Sequence, residues 1–171
     1  MVNLTTKEKF LLEGEKYQQQ LAIDKYNDYA LQAQDTLLQE LFSNFVKIEE
    51  KHLNLIENIL QGNIPKVSKE NFHPYYENNS NMSNDYINIG NITLTALDDY
   101  SNYNDGDKII CFDALTTEEL LHSTYSASSL EFEKTKLESI LKYIIEEKSE
   151  NIKYLNDYMI KKGMYNNIIY F

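Results

Sequence analysis

The alternation of apolar and polar positions divides the chain into three. From Thr5 to about Gln61, and again from about Asn104 to Gly163, apolar residues recur at spacings of three and four, the period of an amphipathic helix. Thr5-Thr6-Lys7-Glu8 has the spacing of a capping box, in which the hydroxyl takes a free backbone N–H and the glutamate returns to the cap's own N–H. Thr36-Leu37-Leu38-Gln39 and Thr135-Lys136-Leu137-Glu138 repeat that signal. Ala33–Asp35 interrupts the first run, Gly62 and Pro65 stop the second helix, and Gly163 stops the last. The pattern predicts four helices, at about 5–32, 36–61, 105–132 and 135–162. A helix of this length spans roughly 40 Å, which suits a bundle.

Residues 63–104 have a different character. His73-Pro74-Tyr75-Tyr76-Glu77-Asn78-Asn79-Ser80-Asn81 is polar and unpatterned, and Asn and Ser compete with helix by bonding their own backbone. Tyr86 to Leu94 alternates and reads as one short extended piece, although a lone strand cannot form a sheet. So long a connection is uncommon inside a compact domain, and it reads as a crossover along the bundle. The expected division is therefore an N-terminal helical hairpin (1–62), an Asn- and Tyr-rich crossover (63–104), a C-terminal helical hairpin (105–165) and an apolar tail (166–171), all one bundle domain.

Shifting the chain by 99 residues aligns the two hairpins without a gap. Thr36 and Gln39 fall on Thr135 and Glu138, Leu21 on Leu120, and Tyr26 on Tyr125. Leu41, Phe42, Phe45 and Val46 fall on Ile140, Leu141, Ile144 and Ile145. Helical periodicity makes part of such matching automatic, so chance alignment is the alternative. Two related hairpins joined by a long crossover give an all-α, ferritin-like antiparallel four-helix bundle.

The inward seams then carry Leu12, Glu15, Gln19, Ala22, Tyr26 and Tyr29 on the first helix, and Leu38, Phe42, Phe45, Glu49, His52 and Ile56 on the second. The third contributes Cys111, Leu115, Glu118, Leu121 and Tyr125, and the fourth Leu137, Leu141, Ile144, Lys148, Asn151 and Leu155. Each seam is interrupted by polar residues near its middle, where an unpaired group would be costly. Di-iron carboxylate bundles place one Glu on each of two helices and a Glu-x-x-His on each of the other two. Glu49 and His52 supply one such pair and Glu118 one of the single glutamates. Gln19, Lys148 and Asn151 stand where the remaining ligands would be. An ammonium in a ligand sphere repels a cation. The six residues therefore read as the vestige of a metal site, with an internal polar network, a metal-binding site and an ordinary solvated face as the alternatives. No catalytic residue, metal ligand or cofactor is assigned.

Other chemistry is sparse. His73 lies in the crossover and His122 lies one residue past the third seam, neither with a partner at ligand spacing. Cys111 reads as a buried, inert thiol rather than a nucleophile. All 16 basic residues are lysines against 27 acids, a net charge of −11, which disfavours nucleic acid and anionic membranes. No apolar run is long enough to span a membrane and no signal peptide is expected at the N-terminus. Nineteen asparagines, ten of them between Asn63 and Asn104, describe the crossover rather than the fold.

Two segments resemble a known family. Asp107-Lys108-Ile109-Ile110-Cys111-Phe112-Asp113-Ala114-Leu115-Thr116-Thr117-Glu118 and Asn156-Asp157-Tyr158-Met159-Ile160-Lys161-Lys162-Gly163-Met164-Tyr165 are similar to the coat F domain of bacterial spore coat proteins. Glu118, Tyr125 seven positions later, and the Tyr158–Tyr165 ending fit the family's pattern. Glu119 departs where lysine is usual, and the Glu/His motif of the last helix is reduced to Glu147 with Lys148 and Asn151. Leu4–Glu8, Lys25-Tyr26 and His52–Leu60 resemble the amino-terminal hairpin of the same proteins.

The resemblance implies a structural, non-enzymatic assembly protein of the endospore coat, made in the cytoplasm of the sporulating cell. Its implied partners are other coat proteins, with a homo-oligomer left open. Tyr75, Tyr76, Tyr86, Tyr100, Tyr103, Tyr165 and Tyr170 would offer stacking or oxidative crosslinking on an exposed linker and tail, or merely fill an amphipathic rim. The competing readings are a ferritin-like iron or manganese protein using Glu49, His52 and Glu118, and an adaptor docking its Ile168–Phe171 tail.

Overall fold

The computed structural model describes residues 2–67, 86–89, 92–95, 103–132 and 135–165. The four helices are α1 (Thr6–Gln32), α2 (Thr36–Leu60), α3 (Asp105–Ser129) and α4 (Thr135–Lys161). α1 and α3 begin 99 residues apart, as do α2 and α4. The expected bounds hold to within three residues at every end.

Local chemistry explains those ends. Thr5 caps α1 through the full capping box, its hydroxyl accepting from the Glu8 N–H while the Glu8 carboxylate accepts from the Thr5 N–H at 2.7 Å. At α2 the cap lies one residue earlier than the sequence signal suggests. Asp35, not Thr36, accepts from Leu37 N–H at 2.8 Å, and Gln39 turns back to the Ala33 carbonyl instead of closing a box. Aspartate is a somewhat stronger acceptor for exposed helix N–H groups than threonine, and the path of the turn presents it to them. The side chain of Thr135, at the start of α4, lies outside the described residues. Gly62 (φ 85°) and Gly163 (φ 69°) end α2 and α4 in the left-handed conformation. Each is followed by the paired bonds of a Schellman stop: Asn63 N–H to Asn58 O with Gly62 N–H to Ile59 O, and Met164 N–H to Met159 O with Gly163 N–H to Ile160 O.

Cross-helix bonds fix the directions. Gln19 meets Tyr125 while Tyr26 meets Glu118, so α1 and α3 run antiparallel. Asp35 meets Lys162 while Glu49 meets Lys148, so α2 and α4 do too. Lys16–Glu57 with Gln19–Glu49 shows the same for α1 and α2. Since α2 and α3 are both antiparallel to α1, α2 ends where α3 does not begin. The connection between them must recover the length of the bundle, roughly 37 Å for 25 residues. That topology makes the long crossover a necessity. Its described portion is two strands, β1 (Tyr86–Ile89) and β2 (Ile92–Thr95), paired antiparallel with Tyr86 opposite Thr95. The single extended piece expected there is thus a hairpin. The Gly90-Asn91 pair dividing the run is a two-residue turn signature.

All the residues placed on the inward seams are buried except Tyr29, which is half-buried with its hydroxyl donating to Asp113. Between α1 and α2 the core is aromatic, with Tyr26 stacked on Phe42 (6.0 Å) and edge-on to Phe45 (5.6 Å). Asp107, buried at the start of α3, accepts from the Gln34 and Asp35 N–H groups at 2.8 and 3.0 Å, tying the α1–α2 turn to the second hairpin. No helix among the described residues is long and apolar enough to cross a membrane.

Candidate functional site

Midway along the bundle, one seam position on each of α1 and α3 and two on each of α2 and α4 are polar. A spacing of three puts Glu49 and His52 on one face of α2, and Lys148 and Asn151 on one face of α4. Gln19 and Glu118 face them from α1 and α3. All six side chains are buried, and the structure brings them into one network.

Its centre is Lys148, whose ammonium bonds the Glu49 carboxylate and lies 3.5 Å from Glu118 Oε1. Asn151 Nδ2 donates to both acids, at 3.3 Å to Glu49 Oε1 and 3.3 Å to Glu118 Oε2. Gln19 Nε2 donates to Glu49 Oε2, and Tyr26 donates to Glu118 Oε1 at 2.5 Å. Tyr125 donates to Gln19 Oε1 at 2.9 Å. His52 Nδ1 lies 3.4 Å from Glu49 Oε2, while its Nε2 has no hydrogen-bond partner among the described residues. The two tyrosine bonds exchange under a shift of 99: Tyr26 to position 118, Tyr125 to position 19.

The electrostatics follow from burial around one ammonium. Burial opposes ionisation of Glu49, but Lys148 and then His52 outweigh it and hold its pKa well below the usual carboxylate range. Glu118 goes the other way. Burial dominates, Lys148 opposes it, and the Glu49 charge adds to it, leaving the pKa raised. His52 is pushed down by burial despite Glu49 and stays neutral at physiological pH. The Tyr26 and Tyr125 hydroxyls are raised by burial and neighbouring carboxylates, so both remain proton donors.

All four oxygens of Glu49 and Glu118 therefore accept from protein donors. A pair of bridging metal ions needs those lone pairs free and cannot share the space of an ammonium. The residues present do not fit a di-metal centre. Among the described residues no group of three or more His, Cys, Asp or Glu side chains is arranged to hold a metal ion.

Sequence reasoning found the six positions and placed Glu15, Tyr26 and Tyr125 on the seams beside them, but assigned those three no role. Tyr26 and Tyr125 were legible as matched core tyrosines, not as the network's donors. Glu15, a turn before Gln19, is buried with no hydrogen bond to either carboxylate oxygen from any described group. Burial raises it to about 7, against the pull of the Ser128 hydroxyl. Glu147, beside Lys148, is likewise raised to about 7 by burial, moderated by Tyr143. At one end of the bundle Asp35 accepts from Tyr158 at 2.9 Å and pairs with Lys162 at 2.8 Å. Cys111 is fully buried, and burial raises its thiol far above the ordinary range. His122 is half-buried on the flank of α3, and His73 lies outside the described residues.

Of the seven tyrosines expected on an exposed linker and tail, the side chains of Tyr103 and Tyr165 are described. Both are half-buried, Tyr103 under the Lys108 ammonium and Tyr165 bonded to Asn156 and edge-on to Phe112. The other five side chains, and the Ile168–Phe171 segment, lie outside the described residues.

Comparison with known proteins places one half of this arrangement in a family. Residues 106–168 match the Coat F domain. The match covers α3 and α4, and so Glu118, Tyr125, Lys148 and Asn151. Leu4–Glu8, Lys25-Tyr26 and His52–Leu60 fall outside it. No curated protein and no solved structure matches the chain. The hairpin that supplies the central lysine and the second buried glutamate is thus the part of the chain that matches the Coat F domain.

Proposed function

We propose that this chain is a structural assembly component of the bacterial endospore coat, acting as a non-catalytic ferritin-like bundle among other coat proteins. The observation that carries this reading is the Coat F match over α3 and α4. The interior supports it. At mid-bundle the carboxylates of Glu49 and Glu118 are consumed by lysine, amide and tyrosine donors. Glu49, Glu118 and Lys148 have no exposed surface from which to meet a substrate. Such a network serves register and uniqueness of packing, as a buried polar contact can in a helical bundle. The six polar positions are thus part of the scaffold.

A fluorescent fusion followed through sporulation tests the assignment. The expected result is a signal that appears during sporulation and gathers as a shell around the forespore. A uniform signal in vegetative cells, unchanged on sporulation, would overturn it.

A further inference from the structure

The outer surface of the bundle is not evenly polar. The largest exposed apolar side chains cluster on α1, on α3 and at the C-cap of α3, and six of them form three pairs separated by 99 residues: Phe10 with Ile109, Leu21 with Leu120, and Leu31 with Leu130. Their exposure runs from 52% at Leu21 to 86% at Leu130. At about 100° per residue, Phe10 and Leu21 lie within about 20° of one another on α1, with Leu31 farther round, and α3 repeats the arrangement. α1 and α3 are antiparallel neighbours, and Leu21 and Leu120 both line the groove of about 90 Å³ between them. On α4, by contrast, Ile160 is the one large apolar side chain so exposed among the described residues, and α2 has none.

Scattered exposed leucines need no explanation, but a repeated set on one side does. We infer that the outward face of α1 and α3 is a self-association surface, covered in solution by the same face of a second copy.

Three observations select a second copy as the occupant. Because α1 and α3 are antiparallel and carry apolar residues at equivalent positions, the face presents matching rows whichever helix of a copy lies over which. Self-matching of that kind is what an isologous dimer requires. The charge also allows it. Of the ten carboxylates on α1 and α3, Glu8, Glu15, Asp107 and Glu118 are buried, leaving six against five lysines. That is a local balance of 5 − 6 = −1 on a chain of −11, so two copies meet here with little of the repulsion they would feel elsewhere. The size is adequate too. Two helices about 40 Å long side by side present roughly 800 Å², the share each partner contributes to a standard interface.

The inference stands apart from the coat assignment, since it concerns the purified chain in solution. Sedimentation equilibrium of the full chain should show a reversible dimer at micromolar concentrations. Leu21→Glu with Leu120→Glu should weaken it by about tenfold or more in Kd, with helical content by circular dichroism unchanged because both positions are exposed. The conservative pair Leu21→Met with Leu120→Met should keep the dimer, as should Ile160→Glu on α4. A wild-type chain that stays monomeric at these concentrations overturns the inference and leaves the face to a different partner. So does a dimer that survives the double glutamate variant, or one that Ile160→Glu disrupts equally.

Discussion

The two hairpins place different chemistry on equivalent positions. At the pair 19 and 118 stand Gln and Glu, at 49 and 148 Glu and Lys, at 52 and 151 His and Asn, while 26 and 125 are both Tyr. Where one hairpin has an acid, the other has an amide or an amine. A bundle with the same acids on both sides would bury negative charge that only metal cations could balance. In this chain one lysine takes that place, with two amides filling the remaining lone pairs. Shared geometry thus carries an asymmetric set of donors and acceptors, and the asymmetry is what allows the interior to be closed.

Removing the cation should have the largest effect. Lys148→Met keeps most of the side chain's volume but leaves Glu49 buried without its ammonium, so stability at neutral pH should fall by about 3–5 kcal/mol. Adding Glu49→Gln to the same chain should restore much of that loss, because the uncompensated charge goes with it. Urea unfolding of both variants is the measurement. If the double variant is no more stable than Lys148→Met alone, the lysine is there for packing and not for charge.

A second contrast lies one turn away, where Glu15 on α1 corresponds to Ala114 on α3. Glu15 is buried and raised to about 7, so the folded chain holds a proton there that the unfolded chain releases near 4.5. Between those values stability must fall as pH rises, and the loss is complete above the folded value. Glu49, held low at about 2, works the other way: its contribution is full above about 4.5 and is lost as pH falls from there through the folded value. Glu15→Leu should therefore stabilise the protein by about 2–3 kcal/mol at pH 8 and change little at pH 5. A gain of equal size at both pH values would show that burial of apolar area, and not ionisation, is responsible.

Much of this architecture was legible in the residues. A seam repeating every three or four positions is a strong signal, and it located the six network residues and all four helices, because a buried face constrains every turn. The Thr5 box was legible for the same local reason. The Asp35 cap was not, since Asp35 and Thr36 both cap well and only the path of the turn decides between them. Asp107 lies in the family-like segment, yet its work is tertiary: it accepts two N–H groups from a turn 72 and 73 residues away. No local spacing encodes that. The hydroxyls of Tyr26 and Tyr125 illustrate the same limit. Their rings announce a core position, but the partner of each polar tip depends on which helix lies opposite.

Those two tyrosines give the finest test of the comparison. Both are fully buried and each donates to the position equivalent to the other's partner, but Tyr26 meets the ionisable Glu118 and Tyr125 the neutral amide of Gln19. A hydrogen bond to a charged acceptor is worth about 1.5–3 kcal/mol and a neutral one about 0.5–1.5 kcal/mol. Tyr26→Phe should therefore destabilise more than Tyr125→Phe at pH 8, where Glu118 is largely ionised. At pH 5 the Glu118 carboxyl carries its own proton, and the two substitutions should converge. The convergence follows from the raised pKa of Glu118. Equal costs at both pH values would mean that Glu118 stays neutral throughout, with Lys148 committed to Glu49 alone.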